Sequence, residues 1–213
     1  MNDSLIPIWN SNFSGATSTV VIPDGCRDLI VKTLENEKPN WLVSPLYDRS
    51  ELVQIETSCN YTGFRLSPGT EIKERELLNY IEKKQPYVDD VSNFLEDFIS
   101  THSAMEETLT CFANEMGSVK KIAAQLGVST RTLQRLVFSK TKRTPGYWLQ
   151  LARIRKAARS LSQHVCLVDV AENYGFADQS HMNREFQRWF GLTPLQVLNS
   201  PTILRQLNDK GYA

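Results

Sequence analysis

Cys26 stands beside Arg27, a pairing that could hold an activated thiolate for nucleophilic or redox chemistry. The other cysteines, Cys59, Cys111 and Cys166, are scattered singly, and His102, His164 and His181 are equally dispersed. Without a Cys-x-x-Cys pair or a histidine at ligand spacing, this set does not describe a zinc site. The sequence also has no glycine-rich phosphate loop, no His-Glu-x-x-His and no paired-carboxylate arrangement. Isolated cysteines fit a reducing compartment in which they act as small buried hydrophobes. The expectation is a protein that is not an enzyme and uses no metal and no cofactor.

The charged residues suggest a different chemistry, one of binding. Formal net charge is zero, but up to Asn114 the chain holds 9 Lys+Arg against 18 Asp+Glu, and beyond it 15 against 6, so −9 is balanced by +9. DNA carries one charge per roughly 1.7 Å of axis, so a basic half should find it readily and lose affinity steeply with salt.

The basic half also contains a repeat. A stretch beginning near Val119 recurs about 48 residues later: Val119, Ile122, Ala123, Leu126, Gly127 and Val128 correspond to Leu167, Val170, Ala171, Tyr174, Gly175 and Phe176. Ala177 is extra, after which Ser129, Leu133, Arg135, Val137, Thr144 and Pro145 correspond to Asp178, Met182, Arg184, Phe186, Thr193 and Pro194. Each residue type has a physical reason. Ala123 and Ala171 allow two helices to cross closely. Gly127 and Gly175 suit a left-handed residue ending a helix. Ser129 and Asp178 are N-caps, and Leu133 or Met182 points back at the core one turn later. Thr144-Pro145 and Thr193-Pro194 read as a cap followed by proline at the first helical position. The outline is two tandem helix-turn-helix units, about 118–140 and 167–190, joined by a helix over about 145–162.

The acidic half is organised differently. Runs at 17–22 and 27–32, separated by Pro23-Asp24-Gly25, read as a strand pair, and 40–43, 51–56 and 61–66 are further strands. Beyond Pro68-Gly69, Leu77, Leu78 and Ile81, then Val88, Val91, Leu95, Phe98 and Ile99, recur at helical spacing. Two readings of these helices stand, a homodimer seam or a cover over the sheet. Trp9, Trp41, Tyr47, Phe64 and Arg65 could line a pocket, though such residues in a small sheet usually form its core and rim. The fold class is α+β: a small N-terminal β-rich domain at 1–70, a partial barrel or sheet; a helical connector at 71–104; and an all-α C-terminal domain at 105–213. No run approaches 18 apolar residues and Met1-Asn2-Asp3-Ser4 lacks the design of a signal peptide, so a cytoplasmic location off the membrane is expected.

Residues 105–199 resemble the DNA-binding domain of AraC/XylS-type transcription regulators, in which one long helix joins two helix-turn-helix units. The second unit is most similar, with Val170-Ala171, Tyr174-Gly175-Phe176, Arg184, Phe186, Phe190-Gly191 and Thr193-Pro194 in place. Lys142 departs from the pattern, standing where the second copy has Gly191; either it accepts a left-handed backbone or that turn is built differently. Pro23-Asp24-Gly25-Cys26-Arg27-Asp28-Leu29-Ile30 resembles an N-terminal module of some of these regulators, regarded as sensory.

The resemblance implies a sequence-specific regulator whose second helices enter the major groove. Thr130, Arg131, Gln134 and Arg135 in the first unit, and Gln179, Ser180, His181, Asn183 and Arg184 in the second, become base-reading candidates, since Arg suits guanine and Gln suits adenine. Lys120, Lys121, Lys140, Lys142, Arg143 and Arg188 are backbone candidates. Arg153 and Arg155 on the joining helix are candidates for a DNA contact or a structural salt bridge. A helix of nearly twenty residues would space the units by roughly one DNA turn, about 34 Å. Partners implied are double-stranded DNA and RNA polymerase, with an effector or a protein at the N-terminal region and a second copy of the chain as further candidates. The alternative is an adaptor that keeps the fold but binds another regulatory protein.

Overall fold

The computed structural model describes residues 6–35, 37–115, 117–163 and 166–213. His164 and Met1-Asn2-Asp3-Ser4, named above, lie outside the described residues.

Six strands come first: β1 (Ile8–Phe13), β2 (Thr17–Val21), β3 (Arg27–Leu34), β4 (Asn40–Val43), β5 (Glu51–Ile55) and β6 (Cys59–Leu66). They form an antiparallel sheet in the order β1-β6-β3-β4 and a separate β2-β5 pair. The expected β2–β3 hairpin across Pro23-Asp24-Gly25 does not form. Instead β2 pairs with β5, Val20 opposite Leu52, while β3 lies between β6 and β4 with Leu29 opposite Phe64 and Val43. The reason lies in what the loop packs against: Ile22 is buried among the C-terminal helices, and Gly25 adopts φ +76 against Trp148 and Tyr212. β1 escaped the sequence pattern because Asn10, Ser11 and Asn12 interrupt its apolar residues. It is held on β6 by Trp9, whose ring covers Gly63 so closely that a Cβ there would come within 2.0 Å of it.

The connector contains β7 (Glu71–Ile72), α1 (Glu74–Lys84), a 3-10 turn at Val88–Asp90, α2 (Val91–Phe94), a second 3-10 turn at Leu95–Phe98 and β8 (Ile99–Ser100), which pairs with β7. The first apolar set thus lies on α1, whereas the second forms short helical pieces and Ile99 belongs to a strand. Leu77, Ile81, Val91, Phe94 and Leu95 share one core with Leu29, Val43, Phe64 and Leu66, so this segment covers the sheet.

Then follow α3 (Ser103–Asn114), α4 (Val119–Gln125), α5 (Thr130–Thr141), α6 (Pro145–Ser160), α7 (Leu167–Asn173), α8 (Gln179–Phe190), α9 (Pro194–Leu198) and α10 (Pro201–Asn208). The 16 residues of α6 span about 24 Å at 1.5 Å per residue, and a 3-10 turn at Leu161–Gln163 continues it. One apolar core runs through these helices around Trp148, Leu151, Ile154, Phe186, Trp189 and Phe190. Ile22 belongs to this core as well, so the C-terminal helices take one of their core residues from the N-terminal region. Among the described residues no helix is long and apolar enough to cross a membrane.

Candidate nucleic-acid interface

The two repeat units fold by the same hydrogen bonds. After α4, Gly127 N donates to Ala124 O at 3.1 Å and Val128 N to Ala123 O at 2.9 Å; after α7, Gly175 N donates to Glu172 O at 3.1 Å and Phe176 N to Ala171 O at 2.9 Å. Both glycines are left-handed, at φ +66 and +68. Ala123 and Ala171 are buried at the crossings. Ser129 Oγ caps α5 by accepting from Thr132 N at 3.1 Å, and Asp178 Oδ1 caps α8 by accepting from His181 N at 2.6 Å. Leu133 and Val137 anchor α5 to the core as Met182 and Phe186 anchor α8. Lys142 does adopt the left-handed conformation, φ 55, in the place of Gly191 at φ 67.

Anchoring one face of each second helix leaves the opposite face open. Arg131, Gln134 and Arg135 on α5 are exposed, as are Gln179, Ser180 and Arg184 on α8. Thr130, His181 and Asn183 are half-buried. His181 Nδ1 accepts from Ala177 N at 3.1 Å and its ring meets the Phe176 edge, so when the ring is neutral Nε2 carries the proton and is a donor. The Asn183 side-chain oxygen is buried, away from the open face, and has no hydrogen-bond partner among the described residues.

The basic residues divide into two sets that sequence alone does not separate. Lys120, Lys121, Lys142 and Arg188 are exposed. Lys121 meets Glu115 at 2.8 Å, Lys142 Nζ donates to Ser139 O at 2.9 Å, and Arg188 lies 3.3 Å from Gln150 and 3.7 Å from Glu185. Lys140 instead donates to Glu71 at 3.0 Å, bonding α5 to β7, with His102 Nε2 2.8 Å away. Arg143 donates to Leu46 O and lies over the Tyr147 ring. Lys156 and Arg159 donate to the carbonyls of Ala113 and Leu207.

Arg155 is fully buried, away from any surface ligand, and among the described residues no carboxylate pairs with it. Its guanidinium donates to main-chain carbonyls: Tyr212 at 2.9 Å, Pro23 at 3.1 Å and Leu207 at 3.5 Å. Burial, followed by the neighbouring Arg159, pulls its pKa down to about 10, so it stays charged at neutral pH. Arg153 stacks over Phe176, 5.8 Å from the ring centre.

Arg155 thus closes a latch built from Pro23-Asp24-Gly25, the motif that resembles a sensory module. Tyr212 N donates to Asp24 O at 2.7 Å. Asp24 also meets Arg65 at 3.0 Å, and Arg65 reaches Asp28 at 3.1 Å and Lys210 O at 2.6 Å. Trp9 Nε1 donates to Asp28 at 2.9 Å. Of the five residues considered as a pocket lining, Phe64 is core, while Trp9 and Arg65 serve this network. Cys26 is buried beside it, and burial followed by the Asp24 charge pushes its thiol far up, the opposite of an activated thiolate. A cavity of about 200 Å³ lies alongside, lined in part by Arg27, Glu71, Lys140 and Trp148. Its charged groups have protein partners: Arg27 meets Glu74 at 2.6 Å, and Lys140 meets Glu71.

These features define a class: a small β-rich region latched onto an all-α part in which α6 joins two equivalent helix-turn-helix units. The sequence model of a family described as a helix-turn-helix domain matches residues 122–200. The HTH-type transcriptional activator RhaS of Klebsiella pneumoniae (strain 342) is 35% identical over 155 residues, 70% of this chain and 52% of that protein. The HTH-type transcriptional regulator VirS of Mycobacterium tuberculosis (strain ATCC 25618 / H37Rv) is 39% identical over 80 residues, 37% of this chain and 23% of that protein. Among solved structures, a transcriptional regulator with an AraC-type DNA-binding domain from Chromobacterium violaceum aligns at 25% identity and TM-score 0.40, covering 52% of this chain and 100% of its own. ToxT from Vibrio cholerae aligns at 12% identity and TM-score 0.49, covering 91% and 97%. Residues 122–200 belong to the matched helix-turn-helix domain family. The chain spans about a quarter to a half of the length of these two curated relatives.

Proposed function

We propose that the protein binds double-stranded DNA at specific sequences and regulates transcription, with α5 and α8 each entering a major-groove segment. The observation that carries this reading is the pair of equivalent turns that leaves guanidinium and carboxamide groups on the open faces of both helices. Arg131 and Arg135, with Arg184 in the second unit, have the forked donors that bridge guanine O6 and N7; Gln134 and Gln179 have the paired donor and acceptor that match adenine. Thr130, Ser180, His181 and Asn183 flank them. Lys120, Lys121, Lys142 and Arg188 contact phosphate, whereas Lys140 and Arg143 serve the junction with the N-terminal region. The relatives RhaS and VirS, described as a transcriptional activator and a transcriptional regulator, support the same role. Residues 1–70 are the regulatory part in this reading, and the latch at Asp24 and Gly25 is their route to the DNA reader.

The test is selection of bound sequences from random duplex DNA, repeated with Arg135→Ala plus Arg184→Ala. The expected result is a motif of two elements about one helical turn apart that the double variant no longer enriches. Each substitution alone should weaken specific binding by about 1–3 kcal/mol and relax the preference at one position. Equal losses on specific and random duplex would show these arginines to be phosphate contacts, and no enrichment by the parent chain would overturn the reading.

A further inference from the structure

The two helix-turn-helix units are joined by α6 and by a second connection that is absent from the repeat. Residues 44–50, between β4 and β5, lie against both. Leu46 packs on the core of the C-terminal helices. Its carbonyl accepts from Arg143, in the turn that ends the first unit, and Arg143 also lies 3.8 Å from Asp48. Tyr147, in the first turn of α6, donates its hydroxyl to Tyr47 O at 2.6 Å. At the other end Ser50 N donates to Trp189 O at 2.8 Å, in the last turn of α8. The fit there is close, since a Cβ on Gly191 would stand 3.3 Å from Ser50 Oγ. Tyr147 and Trp189 also touch, with ring centres 5.5 Å apart. The C-terminal ends of α5 and α8 are therefore held to one short segment, largely through its main-chain atoms, and that segment is anchored at both ends in paired strands.

We propose that residues 44–50 are a strap that fixes the separation and rotational phase of α5 and α8, making this chain selective for the spacing between the two halves of a composite duplex site. The proposal rests on the reading of both helices as DNA readers. Each inserted base pair moves one half-site along the duplex and rotates it by roughly a tenth of a turn. Two units held at one separation and phase cannot follow that movement, whereas two units free to shift on α6 can. Ser50 and Tyr147 are positioning residues: neither lies on the open faces of α5 and α8.

The variants are Tyr147→Phe, which removes the hydroxyl bonded to Tyr47 O, and Ser50→Pro, which removes the N–H bonded to Trp189 O at a place just before β5, where proline is tolerated. The full chain and the double variant are titrated with the selected composite duplex, with the same duplex lengthened by two base pairs between its halves, and with a single half-site. The parent is expected to lose at least ten-fold on the lengthened duplex and the double variant less than three-fold, with half-site affinity unchanged. An equal penalty in both overturns the strap. A second measurement needs no DNA: nitroxides on Ser139→Cys and Gln187→Cys, with Cys111→Ser and Cys166→Ser, report the distance between α5 and α8. One narrow distance that broadens in the double variant supports the strap, and an unchanged distribution overturns it. If the double variant does not fold, Tyr147→Phe alone is measured in both assays under the same criteria. Failure of any duplex to be enriched counts against the DNA reading, and the distances then decide the strap by themselves.

Discussion

At the scale of single residues, Lys142 separates what the fold requires from what the surface offers. Its backbone is left-handed at φ 55, a conformation that glycine adopts without a side-chain penalty and that Gly191 fills in the second unit. Its side chain returns little, one exposed bond from Nζ to Ser139 O at 2.9 Å. Lys142→Gly should therefore stabilise the protein by about 0.5–1 kcal/mol, the relief of backbone strain exceeding the added freedom of the unfolded chain. Urea unfolding followed by circular dichroism would show a higher midpoint at unchanged slope; a lower midpoint would mean that the Ser139 contact outweighs the strain. In DNA binding the same substitution removes one proposed phosphate contact, so affinity should fall alike on specific and random duplex.

At the scale of elements, local rules reach as far as the contacts they describe. The caps at Ser129, Asp178, Thr144 and Thr193 and the turn glycines Gly127 and Gly175 are short-range features, and the structure places each where its residue type implies. The partner of β2 was hidden because β5 lies 30 or more residues away and Asp24-Gly25 mimics a hairpin turn. β1 was hidden by its polar residues. Among the candidate residues, the exposure of Arg131, Gln134 and Arg135 is legible from their position off the core stripe. The inward turn of Lys140, Arg143 and Arg155 was not, because a long basic side chain reaches core or solvent from the same backbone position and only the acceptors around it decide which. Those acceptors lie on Glu71, Leu46 and Pro23, far away in sequence. The latch that joins these elements turns on Gly25. With φ +76 and a Cβ site only 2.6 Å from Tyr212 Cβ, Gly25→Ala would force apart the loop and the C-terminal tail. Thermal unfolding should show a loss of about 2 kcal/mol or more, the sum of a left-handed penalty and overpacking. Gly127→Ala, equally left-handed but with open space at its Cβ site, should cost only about 1 kcal/mol. Equal losses at the two sites would mean that the packing around Gly25 contributes nothing beyond its backbone angle.

At the scale of the whole molecule, the acidic and basic halves meet directly. Glu71 accepts from Lys140 at 3.0 Å and lies 2.7 Å from His102, joining β7, the start of α3 and the C-terminal end of α5. Partial burial acts to raise the pKa of this carboxyl, but the hydrogen bonds from Lys140 and His102 outweigh it and hold the value below the ordinary 4.5. A folded-state pKa below the unfolded one means that protons bind the unfolded chain more tightly. The junction's contribution to stability is then complete above pH 4.5 and is lost as pH falls through the depressed value. Glu71 is about one-third exposed, so the contribution belongs with surface pairs, at most about 1 kcal/mol. Glu71→Gln removes the charge while keeping the shape. In parallel urea titrations, the parent should be more stable than this variant at pH 7, and the gap should close as pH is taken well below 4.5. A gap that persists in acid would assign the contribution to hydrogen bonds that the carboxyl makes and the carboxamide does not. Because Lys140 lies on α5 but is directed at Glu71, freeing it in Glu71→Gln also returns one positive charge to the end of α5, a helix proposed here to enter the major groove. Non-specific affinity for duplex at low salt should therefore rise as stability falls, with the excess disappearing as salt is raised.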